Sequence, residues 1–163
     1  MKCEQTIFKG RKAVRLGNDV FEVITLTGGG HIASLRLPDS NINPLWEPPW
    51  PSIEPEQYNE EEHVEVYGTG EGRLLSSLAG HSLCLNHFGD LSDAEVAAKG
   101  YFHGEASNLP WTIFELSTGN GKAFLDYGLE LPDAHMDFRR VLEIRPGEST
   151  LYFNERTTNT ARH

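Results

Sequence analysis

The sequence predicts an all-β fold of antiparallel strands with one short helix, and three observations carry that prediction. Apolar and polar residues alternate with the period of a half-buried strand in several short segments. Glycine, proline and asparagine turn signals separate those segments about every ten residues, the spacing of sandwiches and barrels. A sustained helical period appears nowhere, and neither an internal repeat nor a low-complexity tract is present. At 163 residues the chain is long enough for a single domain with one core.

The first third reads as a three-stranded meander. Lys12-Ala13-Val14-Arg15-Leu16 is joined by Gly17-Asn18-Asp19 to a run in which Phe21 and Val23 alternate with Glu22 and Thr25. Gly28-Gly29-Gly30 then turns the chain into His31-Ile32-Ala33-Ser34-Leu35-Arg36-Leu37. Between residues 38 and 63, six prolines exclude a central strand or a continuous helix. Trp46 and Trp50 lie in that stretch, which predicts a packed loop and not a flexible linker. Glu60-Glu61-Glu62 reads as a solvated surface.

The helix is expected near 92–99. Ser92-Asp93-Ala94-Glu95 is a capping box, with Ser92 as N-cap and Glu95 three positions on, and Gly100 is placed to stop it. Strands return with Trp111-Thr112-Ile113-Phe114-Glu115-Leu116, a Gly119-Asn120-Gly121 turn and a partner over Lys122–Leu131. Met136–Ile144 alternates next, with Phe138, Leu142 and Ile144 on one face and Arg139 and Glu143 on the other. Pro146-Gly147-Glu148 turns the chain into Thr150–Glu155, and the last residues, through His163, read as a strand entering a loop.

Composition narrows the function classes. Acidic residues outnumber basic ones by 24 to 14, a formal charge of −10, which argues against nucleic acid because phosphate contacts need clustered Lys and Arg. No apolar run reaches the roughly 20 residues of a membrane helix, and Met1-Lys2-Cys3-Glu4-Gln5 leads into no secretory h-region. A cytoplasmic protein that avoids membranes is expected. Cys3 and Cys84 are expected to be free thiols, with Cys84 a small core residue.

Chemistry concentrates between Gly80 and Trp111. His81, Cys84 and His87 follow one another at three-residue spacing and His103 comes after the helix, a set that fits a metal site poorly. Gly28-Gly29-Gly30 lacks the downstream residues of a phosphate-binding loop, and no Gly-x-Ser-x-Gly elbow occurs. What remains is a dense polar set on loops between two β regions, where binding sites are commonly built. Asn86, His87, His103, Glu105 and Trp111 stand out within it.

Phe102-His103-Gly104-Glu105 with Trp111 downstream resembles the His-Gly-Gly/Glu…Trp signature of the aldose 1-epimerase (galactose mutarotase-like) superfamily. Gly29–Leu35 followed by Asn43-Pro44-Leu45-Trp46 is similar to that family's first strands and aromatic loop. Val141–Ile144 through Leu151–Asn159 is similar to its later strand pair. The resemblance implies a partial β-supersandwich that binds a monosaccharide or other small carbohydrate, without a cofactor or metal. In the family a carboxylate takes the anomeric O1 proton and an imidazolium protonates the ring oxygen, so that the ring opens and recloses as either anomer.

On this resemblance His103 is the catalytic histidine, and Asn86, His87, Glu105 and Trp111 are substrate-binding residues. The family's arginine-bearing sugar motif is replaced by Asn86-His87-Phe88-Gly89, and its second histidine and late glutamate have no counterpart. The expectation is therefore a single domain over 1–163 that forms the N-terminal portion of a longer galactose mutarotase-like domain, inactive or incomplete as an isomerase. Exposed strand edges predict a homo-oligomer or pairing with a C-terminal half. A non-catalytic sugar-binding or regulatory module, using Trp46, Trp50 and Trp111 as stacking surfaces, is the alternative.

Overall fold

The computed structural model describes residues 1–161, so Arg162 and His163 lie outside the described residues. Two four-stranded antiparallel sheets make up the framework. The first holds β1 (Lys2–Phe8), β2 (Arg11–Gly17), β3 (Glu22–Leu26) and β4 (Ile32–Arg36) in that order. The second holds β5 (Thr112–Ser117), β6 (Ala123–Leu131), β7 (Met136–Ile144) and β8 (Tyr152–Asn159). The fold is all-β, as the alternation predicts.

The expected meander gains a strand at its edge. β1 pairs with β2 from Lys2↔Gly17 to Phe8↔Arg11. Its pattern is mostly polar, because an edge strand with both faces half in solvent needs no apolar row. Two helices also enter the proline-rich stretch and its continuation, α1 (Glu60–Tyr67) and α2 (Gly72–Ser77). Asn59 caps α1 by accepting from the Glu61 amide, and Glu60, Glu61 and Glu62 lie in its first turn, where acidic charge favours the helix dipole. The acidic run is thus a helix start as well as a solvated surface. The third helix, α3 (Asp93–Ala97), carries the capping box between Ser92 and Glu95, and the Gly100 amide closes on the Glu95 carbonyl.

The sheets face each other across the main core. Val14, Leu16, Val23 and Ile32 of the first meet Leu125, Tyr127, Leu131, Leu142 and Ile144 of the second, all at most 2% exposed. The inward residues of β7 are those the alternation selects, with one addition: Arg140 is fully buried among them. Its Nη1 donates to the Gly30 carbonyl at 3.0 Å and its Nε to Glu155 at 2.7 Å. Tyr127 completes the polar bridge, its hydroxyl 3.0 Å from Thr25 Oγ1 on the facing sheet.

The opposite face of the first sheet is also covered. Ala13, Ile24, Leu26 and Ala33 pack there with Ala79, under the segment that carries Trp46, Trp50, α1 and α2. Asn43 fastens the start of this segment to the edge of β4, accepting from the Leu35 amide and donating to the Ala33 carbonyl. Trp46 and Trp50 meet edge to face within it, and the Trp50 indole donates to the Leu75 carbonyl. This is the packed loop expected of the region. Among the described residues no helix is long and apolar enough to cross a membrane.

His31 is the most deeply placed histidine, with no exposed surface and both ring nitrogens unpartnered among the described residues. Burial pushes its pKa down to about 3, helped by the Arg11 charge; the nearby Ser107 carbonyl, outside good hydrogen-bonding geometry, offsets part of this. The native state therefore keeps His31 neutral, while the unfolded chain protonates it near the ordinary histidine value of 6.5. His31 adds no pH dependence above pH 6.5, and stability falls as pH drops from there towards 3, by up to about 1.4 kcal/mol per pH unit. Chemical denaturation of the native protein and His31→Gln between pH 4 and 7 checks this. The slope is expected to be shallower in the variant; equal slopes contradict the assignment.

Candidate functional site

The segment between Gly80 and Trp111 links the two sheets and is tied at both ends to the first. The His81 backbone pairs with Ile32 at the edge of β4, and the Trp111 amide donates to the Thr27 carbonyl. Buried Asn108 holds the second half of the loop, its side-chain amide donating to the carbonyls of Phe102 (3.0 Å) and Gly104 (2.8 Å). This clamp keeps His103 in the left-handed region at φ +61°, a conformation few non-glycine residues adopt and one that clusters at functional sites. Asn86, at φ +66°, shares it.

The His103 ring is half-buried and has a defined surround. Its Nδ1 lies 3.1 Å from Cys84 Sγ. Phe88 stands edge-on at 4.6 Å between ring centroids, and Phe102 is tilted against the same imidazole at 4.4 Å. Phe88 is 80% exposed, the most solvent-accessible large apolar side chain of the loop. An imidazole beside an open aromatic ring offers a ligand both a polar contact and an apolar face to rest on. Cys84, expected in the core, is instead half-buried against the imidazole.

An open cavity of about 410 Å³, within the usual size range of ligand sites, adjoins this surface. Asn86, His87 and Glu105 line it, together with Glu95, Tyr101, Asp133 and His135. His103 and Trp111 stand outside its wall, although Gly104, next to His103, is part of it. The five residues selected from sequence therefore occupy three places.

Those places set what each side chain does. Glu105 is 2% exposed, and its two carboxylate oxygens accept the amides of Asp133 (3.2 Å) and Ala134 (3.0 Å). It clamps the β6–β7 turn. His87 Nε2 bonds the carbonyls of Gly89 and Asp90, both at 3.0 Å, and its Nδ1 is 3.5 Å from Glu95. The Ser92 hydroxyl and amide hold the Glu95 carboxyl below its ordinary range. Trp111 is 4% exposed, donates its indole N–H to the Ala106 carbonyl at 2.8 Å and packs against Tyr127 and Phe138. It offers no face to a ligand in this conformation.

Asp133 and His135 are not legible as site residues in sequence, because they sit in the tight turn between β6 and β7, outside the Gly80–Trp111 segment. The Pro132-Asp133 pair was the available signal, since proline followed by aspartate marks a turn. Among the described residues no three His, Cys, Asp or Glu side chains converge to hold a metal ion.

No family model matches the chain, and no curated protein matches it in sequence. Solved structures do. A crystal structure of the protein HI1317 superposes with a TM-score of 0.51 at 14% identity, over 89% of this chain and 48% of its own. A galactose mutarotase-like protein from Clostridium acetobutylicum aligns with a TM-score of 0.48 at 14% identity, over 88% of this chain and 44% of its own. The first likeness is one of fold. The chain spans about half the length of the solved structures it matches.

Proposed function

We propose that this chain binds a small carbohydrate at the surface formed by His103, Phe88 and Asn86, as an aldose 1-epimerase-like protein. The observation that carries the reading is the His103 imidazole, held in a left-handed backbone conformation beside the 80% exposed ring of Phe88. An aromatic ring next to polar hydrogen-bonding groups suits a pyranose, which has an apolar face and a rim of hydroxyls. The sequence resemblance to the aldose 1-epimerase superfamily around Phe102–Glu105 supports the same ligand class. The neighbouring cavity, with Asn86, His87 and Tyr101 on its wall, extends the polar contacts available to it.

Binding without efficient anomer exchange is the expected behaviour of these residues. Mutarotation needs a carboxylate free to take the O1 proton while an imidazole serves the ring oxygen. Glu105, the carboxylate nearest His103 in sequence, has both oxygens engaged by the β6–β7 turn. The reading assigns the missing base to a longer galactose mutarotase-like domain or to a partner. In this light the chain acts as a sugar-binding module.

Polarimetry of freshly dissolved α-D-galactose and α-D-glucose, combined with saturation-transfer NMR, tests both halves. Saturation transfer to the sugar is expected, weakened about three- to tenfold in apparent affinity by His103→Gln through loss of one hydrogen bond. Optical rotation is expected to relax at the buffer rate. Absence of transfer overturns the binding reading, and acceleration abolished by His103→Gln overturns the non-catalytic one.

A further inference from the structure

We infer that Cys84 is a positioning residue for His103: its thiol donates to Nδ1, fixes the imidazole as the Nε2–H tautomer and aims that N–H at the ligand. The inference rests on the sugar-binding reading for its consequence, although not for its geometry. The Sγ–Nδ1 separation of 3.1 Å lies within the range of a hydrogen bond to sulfur. Of the ring's two nitrogens this leaves Nε2 for other partners, and a neutral imidazole whose Nδ1 accepts carries its proton on Nε2.

The direction of the bond follows from the surroundings of the sulfur. Burial pushes the Cys84 thiol up from its ordinary range, with the Ser82 hydroxyl pulling part of the way back. The thiol thus keeps its proton at neutral pH and is available as a donor, whereas sulfur is a poor acceptor. Phe88 and Phe102 fix the ring laterally at 4.6 and 4.4 Å, and the Asn108 clamp fixes the backbone that carries it. Translation and tilt are therefore set by packing, and the proton's place on the ring is set by Cys84.

The tautomer has a chemical consequence. With Nε2–H outward the imidazole donates to a sugar oxygen; with Nδ1–H it presents a bare acceptor. A sugar ring oxygen has no hydrogen to give, so it accepts only from the first form.

Nitrogen-15 and carbon-13 spectra of the histidine rings read this directly, with His103 assigned by its loss in His103→Gln. In the native protein the neutral form of the His103 ring is expected to be Nε2–H alone. Cys84→Ala is expected to lose that single-tautomer signature and to bind D-galactose about three- to tenfold more weakly, while Cys84→Ser, which retains a donor, restores both. Should Cys84→Ala fail to fold, Cys84→Val supplies the same comparison at closer volume. An unchanged His103 tautomer in the alanine or valine variant overturns the proposal. The ring signature is recorded without sugar, so a protein that shows the expected tautomers yet binds no galactose overturns only the sugar-binding reading.

Discussion

Arg11→Met is expected to destabilise the protein by about 3–5 kcal/mol, the cost of removing one partner of a buried ion pair. The guanidinium is 1% exposed and reaches four groups on different parts of the chain. It donates to the Ser77 carbonyl (2.6 Å), Ser52 Oγ (2.9 Å), the Gly28 carbonyl (2.8 Å) and Glu54 (3.3 Å). Glu54, 6% exposed, also accepts the Lys12 amide at 2.6 Å. Burial lowers the Arg11 pKa and Glu54 raises it again, so the charge is held by its partner. Methionine fills much of the volume but leaves a buried carboxylate and two carbonyls without their donor. Urea titration measures the loss. Arg11→Met with Glu54→Leu is expected to recover most of it, because a matched apolar pair carries no orphaned charge. Replacing exposed Arg145, which pairs with Glu143, is expected to cost less than about 1 kcal/mol. An Arg11→Met loss of that small size contradicts the account.

Gly30→Ala ranks second. Gly30 has φ +61°, and a Cβ there meets the Trp111 indole at 2.2 Å. Strain in the left-handed region and overpacking of the core each cost about 1–3 kcal/mol, so a loss of about 3 kcal/mol or more is expected. Gly147→Ala separates the two contributions. That residue has φ +71° with nothing within 4 Å of its Cβ, so only the backbone strain applies. Thermal unfolding of both variants decides the matter, and equal losses would show that the indole contact contributes nothing.

The ease with which this fold reads from its sequence follows from its periodicity. β6 and β7 pair in register from Ala123↔Ile144 to Leu131↔Met136, and the alternation, broken in β7 by Arg140 on the inward row, still favours that register. The Ser92 capping box is equally local, since its partners lie three residues apart. β1 is hidden because an edge strand carries a mostly polar pattern. Arg11, Arg140 and His31 look like surface residues in one dimension, and only partners distant in sequence bury them: Ser77 and Glu54 for Arg11, Gly30 and Glu155 for Arg140.

The candidate site divides in the same way. Its segment is visible as a concentration of histidines, asparagine and aromatics, but the roles within it are not. Glu105 and Trp111 carry the resemblance to the family, and the fold uses one as a turn clamp and the other as a core wall. Cys84 passes for a core residue until its neighbour is known, because nothing in the 19-residue separation from His103 signals contact.

Titrating the isotopically labelled protein with D-galactose while recording amide spectra tests the sugar-binding claim most directly. Saturable shifts are expected at Asn86–Phe88 and Phe102–Gly104, fading away from the loop and weakened by His103→Gln. Spectra that stay unchanged through the titration, or shifts centred on the far side of the sandwich, would contradict it.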